Sequence, residues 1–167
     1  MMLTDPQDLF LRDLSNIYAA EQLLATRLPA LATELENDTA VQILSDHALE
    51  TEQHIKNLER VFKVLGMKPE PMTSPVVAAI LAERDRFVRD TDPSARIRTM
   101  FDLDTIAGIE HFEIASYRSL VHKAVVLCEI DCMELLQENL VHEEATLRRV
   151  EELSRAFVRE SMDPLVV

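Results

Sequence analysis

Tryptophan is absent from this sequence of 167 residues, and glycine and tyrosine each occur only twice. Sheets favour aromatic side chains and their turns use glycine, so these shortages argue against a β fold. Alanine, leucine, glutamate and arginine dominate instead, and all four are good helix formers. The composition therefore predicts an all-α fold, and the length predicts a single domain covering 1–167.

Positive charge is also scarce. Lysine and arginine total 17 against 30 aspartates and glutamates, which gives a net charge of −13. Such a field repels phosphate backbones and anionic membrane surfaces. We therefore expect no nucleic-acid partner and no membrane partner.

A long apolar run is missing as well, since none approaches the roughly 18 to 20 residues that a membrane-spanning helix needs. The first ten residues, MMLTDPQDLF, lack the basic region and apolar stretch of a secretory signal. The two cysteines, Cys128 and Cys132, are four residues apart rather than in a CxxC motif. We interpret them as reduced thiols near a helix start, and we expect a cytoplasmic protein.

Apolar spacing and capping residues predict four long helices and a short one. The long helices are expected at about 6–36, from the polar break at 37–39 to Gly66, from the break at 92–94 to about 127, and from 129–131 to about 160; the short helix is expected at about 76–90. Pro29 should kink the first helix. The tail at 163–167 should lie outside the last helix.

The connections indicate how these helices are arranged. Short joints should make the first and second long helices antiparallel, and likewise the third and fourth. Between the two hairpins lies a connection of roughly 30 residues that contains the short helix, whereas simple bundles use short loops throughout. The sequence therefore predicts a ferritin-like four-helix bundle with one long crossover.

Each long helix also carries glutamate where its apolar spacing requires a core residue. In the first helix, for example, Ile17, Glu21 and Leu24 follow one another at steps of four and three. The inward glutamates are Glu21, Glu50, Glu110, Glu113 and Glu143.

One such glutamate would be explained by protonation or by a place at the bundle edge. Five of them, with no lysine or arginine on the same stripes, require another counter-charge, because burying unpaired carboxylates costs several kcal/mol each. Divalent cations would supply it. A carboxylate-rich ligand set with an imidazole suits iron or manganese better than zinc.

Several segments resemble known families. The sequence from Gly108 to Glu113, GIEHFE, resembles the segment with which rubrerythrins place two ligands on one helix. The whole chain resembles the YciE/YciF-type ferritin-like bacterial stress proteins, through the stretches at 14–24, 47–51, 110–117 and 137–145.

The resemblance implies a di-metal site whose ligands are Glu21, Glu50, Glu110, Glu113 and Glu143. A typical di-iron bundle has Glu-x-x-His on two helices, but here Gln53 and Thr146 stand where those histidines would be. His54, four residues after Glu50, reaches the same face and is placed either as a sixth ligand or as a residue that orients one.

Four further residues remain open between site and surface. His47 is expected to orient a ligand rather than bind metal. Glu138 and His142 are interpreted as a solvated face, with an external metal as the alternative. Tyr117 should either hydrogen-bond a ligand or lie at the bundle edge.

The leading hypothesis is a cytoplasmic stress-associated monomer or homodimer that holds two divalent ions, iron first and manganese second. It would bind ferrous iron and oxidise it with oxygen or peroxide. The alternative is a non-catalytic structural or assembly protein that keeps the ferritin-like bundle. The sequence alone does not decide whether the site is catalytic.

Overall fold

Five α-helices build the protein. The computed structural model describes residues 4–162, which contain α1 (Pro6–Glu34), α2 (Asp38–Val64), α3 (Pro75–Thr91), α4 (Ala95–Val126) and α5 (Ile130–Met162) and no strand. The predicted helices are thus confirmed to within a turn at each end. α1 continues on both sides of the exposed Pro29, and its kink stays a prediction. The tail at 163–167 lies outside the described residues.

The long helices begin at side chains that cap their free backbone donors. The carboxylate of Asp5 accepts a hydrogen bond from the Gln7 amide at 2.8 Å, and the side chain of Asn37 accepts one from the Ala40 amide at 2.9 Å. Each cap satisfies an amide that has no partner within the helix. The capping residues therefore fix where α1 and α2 start.

The pairing of the helices is antiparallel throughout the bundle. Asp46 contacts Arg149 near one end of the α2–α5 pair, and Asn57 contacts Asn139 near the other. Lys123 at the end of α4 likewise binds Asp13 at the start of α1. α1 packs on α2 and α4 on α5 as hairpins, and the buried apolar side chains form one core. The predicted four-helix bundle with a long crossover is confirmed.

The crossover helix α3 is held by a buried arginine. Arg84 is 3% exposed, and its guanidinium donates to both carboxylate oxygens of Asp102 on α4, at 2.6 and 3.1 Å. The same group donates to Glu34 at the end of α1, at 2.8 Å. A planar guanidinium binds a carboxylate through two parallel bonds, so this contact fixes both the position and the orientation of α3.

The turns after α2 and α4 share one hydrogen-bond pattern. After α2, Gly66 has a φ of 66°, its amide bonds the Lys63 carbonyl, and the next amide bonds Phe62. After α4, Cys128 takes the same place with a φ of 61°. Cys128 therefore lies in the turn two residues before α5, and Cys132 lies in the first turn of that helix. Both thiols are free and near a helix start, as predicted.

Replacing Cys128 with glycine should stabilise the protein by about 0.5 to 1 kcal/mol. A side chain in the left-handed conformation costs roughly 1 to 2 kcal/mol, and the greater freedom of glycine in the unfolded chain offsets part of the gain. Urea unfolding measures the effect. Gly66→Ala is the matched control and should destabilise; a Cys128→Gly variant that also unfolds at lower urea would contradict the assignment.

None of the five helices within residues 4–162 is long and apolar enough to cross a lipid bilayer.

Candidate metal centre

Four glutamates lie fully buried in the middle of the bundle. Glu21 comes from α1, Glu110 and Glu113 from α4, and Glu143 from α5, and each is 0% exposed. α2 completes the set with His47 and His54, which are 1% and 0% exposed. All four long helices therefore contribute to one polar cluster inside an otherwise apolar core.

Helical periodicity explains why α4 contributes two carboxylates. Glu110 and Glu113 are three residues apart, so they lie one above the other on the face that also buries Ile106 and Tyr117. Because this one turn of the buried face is acidic, both carboxyl groups point into the bundle interior.

The first set of ligand atoms is the His47 group, which consists of His47, Glu110, Glu113 and Glu143. One nitrogen or oxygen from each lies within 4.8 Å of all the others. His47 Nε2 lies 2.9 Å from Glu110 Oε1. Three carboxylates and an imidazole around one point form a site that a divalent cation can occupy.

The second set is the His54 group, which consists of Glu21, His54 and Glu143 and meets the same 4.8 Å limit. His54 Nδ1 lies 3.3 Å from Glu21 Oε1 and 3.0 Å from Glu143 Oε1. The other oxygen of Glu143 lies 4.0 Å from His47 Nδ1. Glu143 therefore belongs to both groups and would be the carboxylate that they share if each held a metal ion.

Unused lone pairs support a cation at this position. Among the described residues, both carboxylate oxygens of Glu110, Glu113 and Glu143 are buried and have no hydrogen-bond partner, and neither has the second oxygen of Glu21. Buried polar atoms are normally satisfied, because an unpaired one costs about 1 to 3 kcal/mol and a charged one costs more. The donor set thus fits divalent metal ions.

Burial changes the acidity of these side chains. Desolvation raises the pKa of Glu110 from its usual 4.5 to about 8, although contacts with Glu143 and His54 oppose the rise. Desolvation and the charge of Glu110 likewise raise the pKa of Glu143 to about 8. Burial alone would lower the pKa of His54, but the charges of Glu21 and Glu143 outweigh it and raise the value to about 10. Without metal, the cluster therefore holds extra protons.

A buried hydrogen-bond chain orients Glu21. The Tyr117 hydroxyl donates to Glu21 Oε1. Asn139 donates to the Tyr117 oxygen at 3.0 Å and to the backbone carbonyl of His54 at 3.3 Å, and Asn57 donates to Asn139 at 2.8 Å. The hydrogen bond occupies Oε1 of Glu21, and Oε2 is left free to bind a metal ion.

Of the six sequence-predicted ligands, the structure brings together Glu21, His54, Glu110, Glu113 and Glu143. Glu50 lies outside both groups: its side chain is 31% exposed, it accepts a hydrogen bond from Thr146 at 3.0 Å, and it lies 4.0 Å from His47 Nδ1. His47 was expected only to orient a ligand, but the structure places it among the four residues of the first ligand group. At 100° per residue, Glu50 is about 60° from His47 around α2, and Thr51 takes the inward position instead.

The other predictions divide between site and surface. Glu138 is exposed, as expected. Of the two alternatives for Tyr117, the structure shows the hydrogen bond to Glu21, with the side chain fully buried. Placing His142 on a solvated face was wrong. His142 is half-buried, its ring is stacked on His54, and its Nδ1 lies 3.2 Å from His54 Nε2. The sequence signal for it was the helical spacing to Asn139, another inward polar residue of α5.

Comparison with known proteins agrees with this structure. The sequence model of one family, Domain of unknown function (DUF892), matches residues 5–163. Protein YciF of Escherichia coli K12 is 28% identical over 141 residues, which is 84% of each chain. The chain therefore belongs to the DUF892 family, and the resemblance to YciE/YciF-type proteins is confirmed.

Solved structures extend the likeness to the whole bundle. The crystal structure of the E. coli stress protein YciF matches with a TM-score of 0.88 and 26% identity over 94% of this chain and 99% of that one. YcfI of Rhodopseudomonas palustris, described as a candidate structural protein, matches with a TM-score of 0.85 and 30% identity over 89% and 94%. A protein from Xanthomonas campestris, with a TM-score of 0.68 and 22% identity over 95% and 100%, shares the fold alone.

Proposed function

We propose that this member of the DUF892 family is a cytoplasmic, stress-associated protein that binds two divalent metal ions, iron first and manganese second, and oxidises bound ferrous iron with oxygen or peroxide. The observation that carries the proposal is the set of buried carboxylate oxygens without hydrogen-bond partners at Glu110, Glu113 and Glu143. Buried carboxylates need a counter-charge or protons, and the one imidazolium that His54 can offer does not match three glutamates, so a cation between them would lower the cost of their burial.

The roles of the ligands follow from their contacts. Glu143 would be shared between the two ions, because it belongs to both the His47 group and the His54 group. Tyr117 holds Glu21 by donating to one of its oxygens. His47 directs Nε2 toward Glu110 at 2.9 Å, while Glu50 lies 4.0 Å from its Nδ1 at the edge of the site.

Glu21, Glu110, Glu113, Glu143, His47 and His54 would hold two ferrous ions. Those ions would supply the two electrons that convert one peroxide molecule and two protons into two water molecules, or one oxygen molecule and two protons into one peroxide molecule. The protein contributes a dry site of fixed geometry, since all four glutamates and both histidines are shielded from solvent by the bundle. Ferric iron is a stronger Lewis acid than ferrous iron, and the carboxylate-rich ligand set stabilises the product of the oxidation.

An anaerobic titration with ferrous ion, followed by oxygen or peroxide, tests the proposal. We expect rapid growth of ferric absorption in the wild type and a large loss of rate in Glu113→Gln. Glu144→Gln, which changes a half-buried residue next to Glu143 that pairs with Arg118, should behave as wild type. Bound iron that stays ferrous would contradict the oxidation.

The second candidate is a structural protein whose metal ions only stabilise the bundle. The description of the R. palustris relative favours it. The same titration separates the two functions, because a structural site binds ferrous ion with the same stoichiometry but without the change to ferric iron.

The raised pKa values in the cluster predict how the stability of the metal-free protein depends on pH. Glu110 and Glu143 have a pKa near 8 in the folded protein and 4.5 when exposed, so folding takes up protons between these values. The contribution of these two protonated carboxyl groups to the free energy of unfolding is fully present below about pH 4.5 and is lost as the pH rises through about 8. His54 acts in the same direction between 6.5 and about 10.

The metal-free protein should therefore melt at progressively lower temperature as the pH rises from about 5.5 to 8.5. With manganous ion the stabilisation should grow over the same range, because metal competes with protons for the ligands. Melting curves at several pH values, each with chelator and with manganous ion, measure both slopes. Glu110→Gln should flatten the chelator series, and a wild type whose melting temperature does not fall with pH in chelator would refute the prediction.

A further inference from the structure

His54 uses its two ring nitrogens in opposite directions. Nδ1 faces inward, 3.0 Å from Glu143 and 3.3 Å from Glu21. Nε2 faces outward and lies 3.2 Å from Nδ1 of His142. The two imidazole rings are stacked, with centroids 5.3 Å apart and planes 23° from parallel. His142 is thus a direct neighbour of the site that the ligand set does not include.

Metal binding at His54 fixes where its proton lies. A ligating nitrogen must offer its lone pair, so the proton of a neutral imidazole moves to the other nitrogen. With Nδ1 on the metal, Nε2–H becomes a donor. The only role left to Nδ1 of His142 at 3.2 Å is then that of acceptor, which places the proton of His142 on its own Nε2.

We propose that His142 is a positioning residue for the His54 group: it accepts a hydrogen bond from His54 Nε2–H and so holds the ring with Nδ1 toward Glu21 and Glu143. This inference rests on the proposed metal binding. The edge-to-face contact with Tyr117, whose ring centroid lies 6.2 Å away, restricts the ring further. The Asn139 side chain donates to the backbone carbonyl of His54 and so helps to fix the backbone that carries the ring.

The geometry confines the effect to one of the two ions. The imidazole of the His47 group is His47 itself, which lies 2.9 Å from Glu110 and 4.0 Å from Glu50 and Glu143. His142 contacts His54, which belongs only to the other group. Losing the acceptor should therefore lower the affinity for the ion at the His54 group and leave the affinity at the His47 group nearly unchanged.

Manganous ion binding to wild type, His142→Phe and His142→Gln tests the proposal. Phenylalanine keeps a stacked ring but offers no acceptor, so one of two ions should bind about 10 to 100 times more weakly. Glutamine still offers an oxygen and should restore most of the affinity. His111→Phe, at an exposed position of α4, is the control and should bind as wild type.

The outcomes are distinguishable. Two ions in the wild type and unchanged binding in His142→Phe would overturn the positioning role alone, and so would equal weakening of both ions. A wild type that binds no ion would overturn the proposed function and with it this inference. If His142→Phe does not fold, nitrogen NMR of the zinc-loaded wild type decides: we expect a proton on Nε2 of both His54 and His142, and a proton on Nδ1 of His142 would overturn the proposal.

Discussion

Glu143→Leu should leave the metal-free protein at least as stable as the wild type and destabilise the metal-loaded one. In the absence of metal, Glu143 is a fully buried carboxyl group beside Glu110, and both crowding and desolvation oppose its charge. An apolar side chain of similar size should leave stability unchanged or raise it by about 1 to 4 kcal/mol. With metal, the variant lacks the carboxylate shared by the His47 and His54 groups, so both ions should lose affinity.

The loss of affinity appears directly in the melting temperature. An ion that binds only the folded state stabilises it by about 2.7 kcal/mol at a concentration 100 times its Kd, and this gain shrinks as Kd rises. Thermal melts of wild type and Glu143→Leu, each with chelator and with excess manganous ion, measure the four states.

The matched control is Glu144→Leu on the same turn of α5. Glu144 is partly exposed and pairs with Arg118, so its loss should change all states by less than about 1 kcal/mol. If Glu143→Leu instead melts lower in chelator and gains as much from metal as the wild type, Glu143 is a structural hydrogen-bonding residue and no bridging ligand.

Arg84→Met should destabilise the protein by about 3 to 5 kcal/mol. The substitution leaves Asp102, which is 2% exposed, without the guanidinium that binds both of its oxygens. An unpaired buried carboxylate must either remain charged at high cost or take up a proton. The anchoring of α3 to α4 would be lost with the ion pair.

A double variant separates the pair from the packing. Arg84→Met combined with Asp102→Leu removes both charges and should recover much of the stability, as measured by urea unfolding. Arg27→Met is the control, because Arg27 and Asp85 are 31% and 40% exposed and such pairs contribute less than about 1 kcal/mol. Equal effects of Arg84→Met and Arg27→Met would show that the buried contact does not anchor α3.

The fold was predictable because its signals are local. Capping residues such as Asn37 and breaks such as Gly66 mark the helix ends, and the proline-rich stretch at 67–75 marks the crossover. The burial of Glu21, Glu110, Glu113 and Glu143 followed from the same periodicity, since each takes a position that an apolar residue would otherwise fill.

The composition of the site was less predictable, because it depends on how helices rotate against one another. On α2 the periodicity allowed His47, Glu50 and His54 to share a face, but the pairing with α5 turned His47 and His54 inward and left Glu50 at the edge. His142 was missed for a similar reason. Its contact with His54 spans 88 residues of sequence and depends on the register between two helices that are not adjacent in the chain.

The metal content of the protein tests the central claim most directly. Protein purified without chelators, then reconstituted with iron or manganese and freed of loosely bound ions, should contain two ions per chain by elemental analysis. Glu144→Leu should match it, whereas Glu143→Leu should contain fewer. Less than about half an ion per chain in the reconstituted wild type would contradict the account, because the unpaired buried carboxylates would then be held by protons alone.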